Sequence, residues 1–131
     1  MADCPFCEII SSPAHPRIEI QNEHAIVIRD GFPVTRGHTL IIPNRHVGSF
    51  FDITSQEHQA MFALLDQAKQ NLDKLYQAPA YNVGINDGPA AGQTVPHLHM
   101  HLIPRYHEAG KDPRGGVRWL VPEKADYWTA R

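Results

Sequence analysis

"HLHMHLIP", residues 97–104, sets three histidines at alternate positions, with leucine and methionine in the gaps. On a β-strand successive side chains point to opposite faces, so His97, His99 and His101 share one face while Leu98, Met100 and Leu102 share the other. The pattern predicts a strand with one core face and one imidazole face. A lone histidine on a sheet is usually a hydrogen-bonded polar residue and nothing more. Three in one register gather more donors and acceptors than packing alone would select, which suits metal binding, proton transfer or nucleophilic attack.

Upstream of this strand, "GPAAGQTVP" (88–96) reads as a glycine-bearing loop and "AYNVGIND" (80–87) as a further strand. A long helix is predicted to open at "TSQE", where Thr54 and Glu57 have capping-box spacing. It carries Met61, Leu64, Leu65, Ala68, Leu72, Leu75 and Tyr76 on one stripe and is closed by Pro79. The stripe is a core face. Before it, "HTLIIP" (38–43) is a buried strand, "GFPVTRG" (31–37) is turn chemistry and "NRHVGSFFDI" (44–53) is irregular. "RIEIQN" and "HAIVIRD" meet near Asn22 and Glu23 as a hairpin, and "CPFCEII" opens the chain as a short helix. Together these elements predict an α+β fold, an antiparallel meander with one major helix inserted late, followed by an irregular tail from residue 105 to 131 in which "DPRGG" is a mobile loop.

With 131 residues, 42% of them hydrophobic, the chain is expected to form one domain that buries a core without staples. A net charge of −2 gives no global reason to expect nucleic acid or an anionic membrane as partner. No basic leader and no long apolar run suggests secretion or a membrane span, so a cytoplasmic protein is expected. Cys4 and Cys7 are the two cysteines, and their spacing in a reducing compartment favours metal binding or redox work over a structural disulfide.

The loop before the histidines narrows the chemistry. Gly88 and Gly92 permit close backbone approach, while Asn86, Gln93 and Thr94 offer neutral hydrogen bonds, a composition suited to phosphate oxygens. Imidazole near neutral pH is a competent nucleophile toward phosphorus and a good leaving group afterwards, so a histidine beside a phosphate cradle points to a covalent phosphoramidate. A shared metal site would more often bring carboxylates to this face.

"HLHMHLI", taken with "GHTLIIPNRH" and "NDGPAAGQTV", resembles the histidine triad (HIT) family of nucleotide hydrolases and transferases, the fragile histidine triad or diadenosine polyphosphate hydrolase branch most closely. The resemblance implies a five-stranded antiparallel half-barrel with one long and one short helix, and a homodimer in which two sheets continue as one. It implies His99 as nucleophile toward the α-phosphate, supported by His97, His101 and His38. Asn86, Gln93 and Thr94 would hold the phosphates and Asp30 the ribose hydroxyls. The base would enter an apolar pocket of Phe6, Ile10, Ile20, Ile28 and Phe32.

The resemblance also completes a structural zinc site, in which His46 and His97 join Cys4 and Cys7 as four ligands. Residues 1–12 are then a zinc-binding N-terminal segment. The expected function is a hydrolase acting on a dinucleoside polyphosphate or nucleoside phosphoramidate. The alternatives are a nucleotidyltransferase or phosphorylase, and a non-catalytic nucleotide-binding adaptor. Arg114 and Arg118, flanking two glycines of the tail, are expected to meet a polyphosphate leaving group.

Overall fold

In the computed structural model, which describes residues 3–129, the expected α+β architecture is present. Helix α1 (Pro5–Ile10) precedes the hairpin of β1 (Ile18–Gln21) and β2 (Ala25–Arg29). Strand β3 (Thr39–Pro43), the 22-residue helix α2 (Ser55–Tyr76), β4 (Ala80–Ile85) and β5 (Met100–Arg105) follow. All pairings are antiparallel, and the strand order is β1-β2-β3-β5-β4. This corrects the expected meander. After α2 the chain re-enters at the far edge as β4, and β5 then returns into the gap beside β3.

The alternation of "HLHMHLIP" holds, but its strand is shifted. Hydrogen-bonded pairing begins at Met100, opposite Ile41 of β3 and Ile85, the last residue of β4. Leu98 N–H donates instead to Val47 O at 2.7 Å, which keeps this stretch aligned beside the segment that follows β3. Leu98, Met100 and Leu102 join Val27, Ile41, Met61, Leu64, Ala68 and Leu72 in the core between sheet and α2. Leu65 and Tyr76 of the predicted stripe pack at its margin, whereas Leu75 at the helix end is exposed.

The other face of the sheet is buried too. Ile26, Ile28, Leu40 and Ile42 pack against Cys4, Phe6 and Ile9, so α1 covers part of the imidazole face. Of the expected base-pocket residues, Phe6, Ile10 and Ile28 belong to this cluster. Ile20 packs on the opposite, helix-covered side, because a register irregularity between Ile18 and Ile20 turns it over, and Phe32 stands 91% exposed in the β2–β3 turn. Both are corrections to the pocket read from sequence.

Two local devices fix segments that carry site residues. Gly37 has φ of +88°, and a Cβ there would lie 3.0 Å from the Tyr76 ring, so glycine alone lets the chain turn into His38. At the start of α2, Thr54 and Glu57 exchange both capping-box bonds, as predicted. Glu57 also receives two bonds from Arg45, at 3.0 Å from Nε and 2.8 Å from Nη2. Donation from Arg45 holds the buried Glu57 carboxyl at about 2, against an ordinary 4.5.

The depressed value makes Glu57 a stabilising group above about pH 4.5, and its contribution disappears as pH falls through about 2. Because Arg45 is half exposed, we expect Glu57→Ala to cost about 2 kcal/mol at pH 7, less than a fully buried pair would. In urea titrations the gap between variant and parent should narrow at pH 3. An equal gap at both values would assign the loss to packing instead.

The tail is more ordered than "DPRGG" suggests. It forms 3₁₀ turns at Gly116–Leu120 and Pro122–Lys124, and Trp119 Nε1 donates to Arg114 O at 2.8 Å. Among the described residues no helix is long and apolar enough to cross a membrane.

Candidate active site

The imidazole row is ordered by hydrogen bonds that assign each ring its tautomer. His99 Nδ1 lies 2.9 Å from the carbonyl oxygen of His97. A carbonyl only accepts, so Nδ1 carries the proton and Nε2 keeps its lone pair. The Phe6 ring stands edge-on to His99 at 5.1 Å, and His101 flanks it at 5.2 Å.

A second chain of bonds starts in the β2–β3 turn. Val34 N–H donates to His38 Nδ1 at 3.1 Å, which puts the His38 proton on Nε2. That N–H faces His101 Nδ1 at 2.9 Å and Asp30 Oδ2 at 3.3 Å. With its Nδ1 accepting, His101 carries its own proton on Nε2, a buried atom with no hydrogen-bond partner among the described residues. Burial, reinforced by His99 and His38, pushes the His101 imidazole down to about 4, so it is a neutral donor at physiological pH. Burial also lowers His38, and Asp30 partly offsets this.

An unpartnered buried N–H beside a ring nitrogen with a free lone pair forms an acceptor-seeking corner. The arrangement suits an oxygen-bearing electrophile, with Nε2 of His99 facing its centre and Nε2–H of His101 its oxygen.

The other predicted residues differ in how they are engaged. Asp30 Oδ1 accepts from Phe32 N–H at 2.7 Å, so one oxygen is a turn acceptor while the other meets His38. Gln93 braces its own loop. Its Oε1 accepts from Gly88 N–H at 2.7 Å, and its Nε2 donates to Gly48 O and Val95 O, each at 3.0 Å. Thr94 is exposed, and Asn86 is half-buried just beyond β4.

Arg114 and Arg118, expected at a polyphosphate leaving group, are engaged within the tail. Arg114 pairs with Asp112 at 2.8 Å and stacks on Trp128, while Arg118 donates to Lys124 O and Ala125 O and stacks on Tyr127. Nearby carboxylate, carbonyls and rings make both arginines tail clamps.

Cys4, Cys7, His46 and His97 do come together. Their donor atoms lie within 4.8 Å of one another, and among the described residues the set could hold a metal ion. Cys4 Sγ is 3.4 Å and Cys7 Sγ 3.5 Å from His97 Nδ1, and Cys7 Sγ is 3.2 Å from His46 Nδ1. Tetrahedral sulfur and nitrogen ligands of one zinc stand about 3.5 Å apart, given the usual bond lengths. His97 Nε2–H donates to Pro43 O at 2.8 Å, which leaves Nδ1 free to bind. The donor chemistry, spacing and tautomer all fit zinc.

Sequence reading missed the residues that hold these parts in place. Asp87 accepts from Ser49 Oγ at 3.0 Å and from Phe50 N–H at 2.8 Å, tying the end of β4 to the segment after His46. From sequence it was simply the last residue of the stretch "AYNVGIND", read as a strand. Arg105 was legible as a continuation of the alternation through Ile103, yet it fell at the boundary of the tail.

A family model described as the HIT domain matches residues 14–108. An uncharacterized HIT-like protein of Mycoplasma genitalium is 38% identical over 110 residues, 84% of this chain and 77% of that protein. A bis(5'-adenosyl)-triphosphatase of Saccharomyces cerevisiae is 41% identical over 97 residues, 73% of this chain but 44% of the yeast protein. Among solved structures, a Zn-bound histidine triad family protein from Mycobacterium smegmatis is 33% identical, covers 99% of each chain and superimposes with a TM-score of 0.73.

Proposed function

Because the chain belongs to the histidine triad (HIT) family, we propose that it is a nucleotide hydrolase working through nucleotidyl-His99 on a dinucleoside polyphosphate or nucleoside phosphoramidate. The observation that carries this reading is the tautomer pair: Nε2 of His99 with its lone pair free, beside Nε2–H of His101 without a partner among the described residues. In the first step His99 Nε2 forms a bond to the α-phosphorus, and the bond from phosphorus to the leaving oxygen or nitrogen breaks. The bonding pair goes to the leaving group, which takes up a proton. His101 donates to a non-bridging oxygen as its charge grows. In the second step water attacks the same phosphorus, the P–N bond breaks back to His99, and a nucleoside monophosphate leaves.

His38 keeps His101 in its donor tautomer, and His97 orients His99 through its carbonyl. Asp30 would take the ribose hydroxyls, while Asn86, Gln93 and Thr94 would line the phosphate path. Gln93, with all its groups engaged, acts by shaping that loop. Cys4, Cys7, His46 and His97 would hold zinc, which when bound fixes the N-terminal segment to the triad strand.

We assign these roles to a single domain over residues 1–131, in a homodimer. The edge position of β4, with Val83 45% exposed on it, supports pairing with a second copy. A cytoplasmic location agrees with two free cysteines.

Rapid quenching with diadenosine triphosphate labelled at the α-phosphate tests the reaction. An acid-labile label should reach the protein before adenylate appears at its steady rate. Adenylate release with no protein-bound label at any time would refute the covalent step.

A further inference from the structure

Pairing of β4 with β5 lays out a floor beside the histidines. Paired residues of an antiparallel sheet share a face, so Gly84 beside His101, Asn82 beside Ile103 and Ala80 beside Arg105 all lie on the imidazole side. Gly84 has no side chain, and nothing lies within 4 Å of where its Cβ would stand, so the space next to His101 is open. The next polar group along that floor is Asn82. Its Oδ1 accepts from Arg105 Nη1 at 2.5 Å, which ties the guanidinium to the residue one pleat repeat, about 7 Å, from Gly84. Gly116 of the tail closes over the same amide, its Cβ position 3.6 Å from Asn82 Nδ2.

Arg105 also lines a cavity of about 510 Å³ with Val34, Thr35, Ile103, Lys111 and Trp119. Val34 of the cavity wall is also the residue whose N–H donates to His38. Charges around it are paired off: Lys111 lies 3.3 Å from Glu108, and Arg114 lies 2.8 Å from Asp112. Among the described residues Arg105 has no carboxylate within ion-pair distance, and Asn82 is a neutral partner. A half-buried guanidinium with uncompensated charge, beside an open floor that runs to His101, selects for phosphate oxygens.

We propose that Arg105, positioned by Asn82, binds the phosphate of the leaving group next to the one attacked by His99, and thereby favours polyphosphate substrates. This rests on the hydrolase reading for its reaction, but its charge recognition is separable from turnover. With diadenosine triphosphate, Arg105→Gln should lower kcat/KM about 30-fold, the loss of one charge-assisted contact. With adenosine 5′-phosphoramidate, whose leaving group carries no phosphate, the change should stay within about twofold. Arg105→Lys, which keeps the charge, should recover part of the loss and guards against a folding defect, as does a melting curve of each variant.

Equal losses on both substrates, or no loss on the polyphosphate, overturns the proposal. Calorimetry with inorganic tripolyphosphate separates it from the hydrolase reading. If neither nucleotide is turned over but tripolyphosphate binds the parent and not Arg105→Gln, the hydrolase reading fails and the anion site stands. Equal tripolyphosphate affinity for both proteins sinks the site whatever the kinetics.

Discussion

His99→Gly is expected to lower turnover of every nucleotidyl substrate by roughly 10⁴-fold or more, since in the proposed reaction it removes the atom that bonds to phosphorus. The expectation rests on geometry. In the parent, Nδ1–H of His99 is tied to His97 O at 2.9 Å, which fixes the tautomer and leaves Nε2 as the base. No other ring nitrogen of the row is equivalently placed. His97 has both nitrogens engaged, and His101 presents a proton rather than a lone pair. Little else should change. His99 is buried against Phe6, so glycine opens a cavity and costs stability, yet nucleotide binding through the remaining groups should persist. Steady-state kinetics and equilibrium binding on one preparation check this. A variant that still turns over within about tenfold of the parent would remove His99 from the chemistry.

The second large effect concerns the cysteines. Purified protein is expected to carry one zinc per chain, and replacing Cys4 and Cys7 by serine should abolish it, because a structural tetrahedral site needs its thiolates. Since metal-binding energy is folding energy at such a site, the double variant should lose on the order of 5 kcal/mol or more of stability. Metal analysis followed by denaturant unfolding reads both quantities. His99→Gly should keep its zinc, which separates the two sites. A metal-free parent with the same stability as the double variant would leave Cys4 and Cys7 as buried thiols and nothing else.

Much of this arrangement was legible because it is written in local pattern. Alternation at 97–104 gave the two faces, the Thr54 and Glu57 spacing gave the start of α2, and "CPFC" gave two metal donors. What escaped depends on distance along the chain. Strand order could not be read, because "AYNVGIND" looks the same whether it lies beside "HTLIIP" or at the sheet edge. Arg45 meets Glu57, Asp87 meets Phe50 and Arg105 meets Asn82 only after folding brings separate elements together. Ile20 shows the limit from the other side, since one irregularity in the β1–β2 register reversed a face that strict alternation would have assigned.

His97 joins two requirements in one residue. Its ring nitrogens reach the cysteine pair and Pro43, and its peptide oxygen accepts the hydrogen bond of His99 Nδ1–H. Any event that tilts this residue therefore rotates the His99 ring as well, even while the sheet around it stays intact. Wear in such a molecule would show as lost rate well before lost shape, and a substitution at position 97 could not trade one duty against the other.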